Sequence, residues 1–157
     1  KTLDVELPIH SSILPSNALQ VERALQAVID AGHRQVGVLG FSFKAGTDDL
    51  RESPVVELAE RLIGKGYELL FYDENVNMAR LHGANRDYIL NRIPHISRLM
   101  VGSVGEVLEH AGTIIIGNSA PEFRDVPRRL RGTQSIVDLV RVSDTGSVAG
   151  VYEGICW

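Results

Sequence analysis

The stretch Gln35-Val-Gly-Val-Leu-Gly-Phe-Ser-Phe-Lys-Ala-Gly-Thr-Asp-Asp-Leu-Arg-Glu-Ser-Pro54 decides the fold. Its front, through Gly40, is a short apolar run with β-branched residues, the pattern of a strand buried on both faces. Its rear predicts a helix to about Gly64, with Ser53 as cap and Pro54 in the first turn. Val55, Val56, Leu58, Ala59, Leu62 and Ile63 give that helix a broad apolar face. Between the two lies a glycine-containing loop carrying Lys44 and Arg51. Strand, loop and helix in this order make a βα unit. In an open α/β sheet, ligands bind beyond the carboxyl end of such a strand.

Outward from this unit the alternation continues. Lys65-Gly66 turns the chain into a second strand, Glu68 to Tyr72, that ends at Asp73. Residues 75–94 are polar and predict two short helices around His82-Gly83-Ala84. Ser103-Val-Gly-Glu106 has capping-box spacing and opens a helix that stops at Gly112. Thr113 to Gly117 reads as a third strand, Pro121 to Arg131 as a short helix, and Ser135 to Val140 as a fourth strand. Asp144 to Gly150 is a turn, and Val151 to Trp157 a tail able to add a last strand. Toward the N-terminus, residues 1–14 show no period and read as a linker or arm. A helix from about Ser16 to Ala31 follows, capped by Ser16 or Asn17 and closed by Gly32. The whole is a doubly wound, mostly parallel α/β sheet with helices on both faces, plus an N-terminal helix.

The bulk properties agree with one such domain. The chain has 157 residues, 44% hydrophobic and 23% charged, enough length to bury a core. No apolar run approaches the roughly 20 residues a membrane span needs. A formal charge of −4 argues against nucleic acid as a partner. The single cysteine, Cys156, allows no internal disulfide and suits a reducing cytoplasm. The start at Lys1, without methionine or a leader pattern, reads as a cut into a longer polypeptide.

The loop matches neither common phosphate signature. Gly37, Gly40 and Gly46 are not spaced as G-x-G-x-x-G, and Lys44 is not followed by Ser or Thr after a closing glycine. Lys44 still offers a compact charge to a phosphate or oxyanion, and Arg51 a planar fork to a pyrophosphate. The alternative is that both pair with Asp48, Asp49 and Glu52 on the surface. On residue chemistry alone the two readings stand level. Asp73 sits where a dinucleotide fold keeps its ribose-binding acid, but without the glycine fingerprint a turn or cap role is favoured. The five histidines show no metal spacing, and Arg128, Arg129 and Arg131 read as a solvated face. No metal site is expected.

The run from Gly40 to Pro54 resembles the signature of the C-terminal domain of the UDP-glucose/GDP-mannose dehydrogenase family. Val-Glu-Leu-Ala-Glu and Gly-Lys-Gly-Tyr-Glu-Leu (through Leu69), His82-Gly-Ala-Asn-Arg-Asp-Tyr-Ile89 and Glu153-Gly-Ile-Cys-Trp157 are similar to the GDP-mannose branch, which serves alginate biosynthesis. The resemblance implies an NAD-dependent oxidoreductase that oxidises the sugar C6 alcohol to a carboxylate in two hydride transfers through a cysteine thiolate. It implies NAD as cofactor, held mainly by a separate N-terminal domain, and a dimer or higher oligomer made by a central helical region. It places residues 1–32 at the end of that region and 33–157 in the nucleotide-sugar-binding domain. Lys44 would then contact the nucleotide sugar, GDP-mannose or alternatively UDP-glucose, and Arg51 the NAD. No catalytic residue is carried over: the cysteine loop lies upstream of Lys1, and Cys156 is not its equivalent. The place of Arg141, after Asp138, stays open. A rival is a non-enzymatic, receiver-like phosphate-binding module, with Asp73 as its acid; no lysine follows Lys65 to complete it.

Overall fold

In the computed structural model, residues 7–142 and 150–155 are described. Five strands form one sheet: β1 (Gln35–Leu39), β2 (Glu68–Tyr72), β3 (Thr113–Ile116), β4 (Ser135–Asp138) and β5 (Val151–Gly154). Their order is β2-β1-β3-β4-β5, and every neighbouring pair is parallel. The strand order reverses between β1 and β3, so the crevice there is the place where doubly wound sheets take ligands.

Alternation along the strands divides the core in two. Val36, Val38, Leu69, Phe71, Ile115 and Val137 face α1 (Pro8–Asp30), α2 (Pro54–Gly64) and α3 (Gly83–Arg92). Leu39, Ile114, Ile116 and Ile136 face α4 (Val104–His110) and α5 (Val126–Arg129). All four residues of β3 are buried, as a central parallel strand requires. Ser103 caps α4 as its spacing predicts, accepting from the Glu106 N–H at 3.2 Å.

Several boundaries differ from the sequence reading. The first helix begins at Pro8, not Ser16 or Asn17, so residues 8–14, read as part of an arm, are its opening turns, while residues 1–6 of that arm lie outside the described residues. Pro8 presets the first turn, and Pro15 lies inside the helix, where its missing N–H forgoes one bond. Only the C-terminal part of α1 is buried, through Val21, Ala24, Leu25, Ala27 and Val28. That packing, with an Arg61–Glu22 ion pair to α2, explains why the front half shows no core-facing period.

Ser53 stands at the cap position of α2 but does not cap with its side chain; its hydroxyl donates to the Phe41 carbonyl at 3.2 Å. Residues 75–94 hold one helix rather than two. Asp73 and Asn77 bond the backbone of Asn75 and Ala79, keeping the preceding segment in turns. The helix expected over Pro121–Arg131 is split into a 3₁₀ turn (Pro121–Phe123) and α5, because Pro127, without an N–H, fits only a first turn. The tail expected from Val151 forms β5 on the sheet edge, while most of the turn from Asp144, and Cys156, lie outside the described residues.

The tightest helix–sheet contact is at Gly37. A Cβ there would lie 2.3 Å from Val107 Cγ1 and 3.0 Å from Ala111 Cβ. We expect Gly37→Ala to lower stability by about 1–3 kcal/mol, the scale of overpacking a core, measured by urea unfolding.

Candidate functional site

The site is built at the carboxyl ends of β1, β2 and β3, from residues that first close the top of the sheet. Asp73, the residue after β2, is 6% exposed. Its Oδ2 accepts from the N–H groups of Phe41 (2.9 Å) and Ser42 (3.0 Å) and lies 2.8 Å from the Ser42 hydroxyl. Asn118, after β3, donates from Nδ2 to the Ser42 hydroxyl oxygen at 3.1 Å and sits 3.3 Å from Asp73 Oδ2. The other carboxylate oxygen holds the Asn75 N–H at 3.0 Å. One carboxylate thus binds the chain ends of three strands. The turn role expected for Asp73 is present, but its larger role was not legible, since its partners lie 31 to 45 residues away.

Two glycines allow this closeness. Gly40 has φ +82°, and a Cβ there would lie 2.5 Å from Asn118 Cγ. A Cβ on Gly117 would lie 2.3 Å from the Gly40 carbonyl oxygen. In a dinucleotide fold the N–H groups after the first strand would cradle a pyrophosphate. Here a protein carboxylate already occupies them.

Beyond this seal the loop projects outward. Lys44 is exposed and makes no ion pair among the described residues. Arg51 is held by Asp49 through a bidentate pair, Nε–Oδ1 at 2.9 Å and Nη2–Oδ2 at 2.8 Å. The Arg51 side-chain hydrogen bonds hold the Asp49 carboxyl down to about 2, and Asp49 in turn raises the guanidinium. The guanidinium keeps 54% side-chain exposure and further donors free for an outside anion. Arg51 borders a cavity of about 290 Å³ with Asp48, Asp49, Arg80, His82 and Asn85. Lys44 does not line it. Nor do the two cations border the apolar cavity of about 360 Å³ at the start of α2, lined by Phe43, Val55, Leu139 and Val140 among others.

Asp138, the last residue of β4, is fully buried and accepts from the N–H groups of Val140 (2.9 Å) and Val142 (2.8 Å) and from the Tyr152 hydroxyl. Arg141 follows on this carboxylate-held turn, exposed and with φ 55°. No group of metal-ligating side chains is present among the described residues.

Fold and site together define a doubly wound α/β domain whose first loop is sealed against a pyrophosphate and presents cations outside the seal. The pattern described as the UDP-glucose/GDP-mannose dehydrogenase family, UDP binding domain, matches residues 37–145, and the chain belongs to that family. It is 48% identical over 157 residues to the GDP-mannose 6-dehydrogenase of Pseudomonas putida, covering 99% of this chain and 36% of the relative. A UDP-glucose 6-dehydrogenase of Rickettsia typhi is more distant, 27% identical over 142 residues, covering 87% of this chain and 30% of that one. Among solved structures, a ternary complex of GDP-mannose dehydrogenase from Pseudomonas aeruginosa superposes with a TM-score of 0.85 at 48% identity, over 98% of this chain and 35% of that chain. A UDP-glucose dehydrogenase from Pyrobaculum islandicum shares the fold, with a TM-score of 0.69 at 24% identity, over 94% of this chain and 32% of that chain. The chain spans about a third of the length of the relatives it matches.

Tyr72 marks the acidic side of the site. Burial first, then its 3.0 Å hydrogen bond to Glu122, push its phenol up to about 12 from 10.0. Because the folded value is raised, this contribution to stability is complete below about pH 10 and is lost as pH rises through about 12. Alkaline absorbance titration of wild type and Tyr72→Phe should isolate a tyrosine ionising near 12, shifted downward by Glu122→Gln.

Proposed function

We propose that the chain is the nucleotide-sugar-binding domain, residues 33–157, of an NAD-dependent GDP-mannose 6-dehydrogenase that oxidises GDP-mannose at C6 to GDP-mannuronate. Residues 1–32 then form the link to the rest of the enzyme. The observation that carries this reading is 48% identity across 99% of the chain to an enzyme of that name, against 27% across 87% for the Rickettsia typhi UDP-glucose enzyme. Further support comes from the loop, where two cations stand beyond a sheet edge that has no room for its own pyrophosphate.

In this reading Lys44 binds the nucleotide sugar. Its ammonium is exposed and uncommitted to a carboxylate among the described residues, so an incoming oxyanion displaces only water. Arg51 receives the NAD. Asp49 fixes the guanidinium plane beforehand, which lowers the ordering cost of an anion contact. NAD⁺ supplies the hydride acceptor. The described residues fit only an edge of such a cofactor, because Asp73 fills the cradle a pyrophosphate would use. The main NAD site and the thiolate therefore belong to other parts of the enzyme, which works in the cytoplasm as a homodimer or larger oligomer.

The chain alone should turn over no GDP-mannose. In the longer enzyme, Lys44→Ala should lower kcat/KM for the nucleotide sugar by about 10²-fold, the scale of one lost charge-assisted contact to a developing oxyanion. Arg51→Ala should chiefly raise KM for NAD. Steady-state kinetics with each substrate varied separates the two; unchanged kcat/KM in the Lys44 variant would sink its assignment.

A further inference from the structure

We propose that Asn85, on α3, is a positioning residue for Arg51. It fixes the loop segment that presents the guanidinium and so sets the affinity for the anion Arg51 receives. The functional half of this inference rests on the assignment of Arg51 to the dinucleotide.

The connection between β1 and α2 occupies residues 40–53 and contains no helix or strand. Connections of this length without secondary structure are uncommon, and holding one in a single shape takes dedicated contacts. Asp73 anchors its front, and the Ser53–Phe41 hydrogen bond anchors its rear. The stretch that carries Arg51 is anchored by α3. Asn85 accepts from the Leu50 N–H at 2.9 Å and donates from Nδ2 to the Asp48 carbonyl at 2.8 Å. Both functions of one amide are spent on the two backbone groups flanking Asp49. A turn further along α3 stands the part-buried Tyr88. A turn beyond that, Arg92 lies over the Tyr88 ring at 5.6 Å and pairs with Glu60 of α2 at 2.7 Å. Asn85, Tyr88 and Arg92 share one helix face by their spacing, and that face tracks the loop into α2.

Position is therefore passed from α3 to the Asp48 and Leu50 backbone, from there to Asp49, and through its bidentate pair to Arg51. Lys44 depends on this route less, since its turn is closed locally by Thr47, whose hydroxyl and N–H reach the Lys44 carbonyl at 2.8 and 3.2 Å. Asn85 borders the same cavity as Arg51, but its amide is spent on the loop backbone, so it acts through another residue.

Two measurements test this. In the 157-residue chain, amide exchange should show Leu50 N–H protected in wild type and fast in Asn85→Ala. Asn85→Asp, which keeps the acceptor and loses the donor, should fall between. A Leu50 amide equally protected in all three overturns the clamp. In the longer enzyme, Asn85→Ala should raise KM for NAD roughly tenfold, the scale of one lost hydrogen bond, with a smaller effect on KM for GDP-mannose. The Asn85→Ala/Arg51→Ala double variant should be no worse than Arg51→Ala alone. Additive losses, or a lowered Tm with KM for NAD unchanged, would show a merely structural residue. If Arg51→Ala leaves KM for NAD unchanged, the dinucleotide assignment falls and this inference with it. If Arg51→Ala raises it and Asn85→Ala does not, the inference alone falls.

Discussion

A single buried carboxylate organises the top of this sheet. Asp73 follows β2 and takes the N–H groups of Phe41 and Ser42 beyond β1, while Asn118 reaches it from beyond β3. A buried charge is tolerated only when its oxygens are satisfied, and here the donors come from all three strand ends at the reversal of strand order. No buried side-chain polar atom among the described residues lacks a partner. Removing the carboxylate would leave backbone donors stranded in the interior at a point where Gly40 and Gly117 have already brought β1 and β3 into contact.

That seal determines what the loop above it does. A doubly wound sheet usually offers its first loop to phosphate through backbone amides. With those amides committed to Asp73, the positive charges the loop presents are on side chains further out, Lys44 and Arg51. Side chains on a long loop need external support, and α3 supplies it along one face. In the proposed function this domain edge meets a nucleotide sugar, with the cofactor held from the other side.

The fold was legible because its signals are local. Apolar runs with β-branched residues marked β1, β3 and β4, and the capping box marked α4. Lys44 and Arg51 stood out for the same reason, as cations in the first βα loop. What stayed hidden depends on distance along the chain. Ser53 reads as a cap, yet its hydroxyl serves Phe41 twelve residues back. Residues 8–14 show no period, yet α1 opens at Pro8 and runs through Pro15, because its C-terminal turns are fixed by packing on α2. The contacts of Asp73 and Asn85 cannot be read from their neighbours in sequence; only the folded chain brings their partners to them.

The central claim is that the N–H groups after β1 belong to Asp73, so that a nucleotide sugar is met by the outer loop. Amide chemical-shift mapping of the chain titrated with GDP-mannose tests it most directly. The account predicts perturbation centred on Phe43, Lys44 and Ala45, with the Phe41 and Ser42 amides still hydrogen-bonded to Asp73. Displacement of Asp73 from those two amides by the ligand's phosphates, with Lys44 unperturbed, would contradict it.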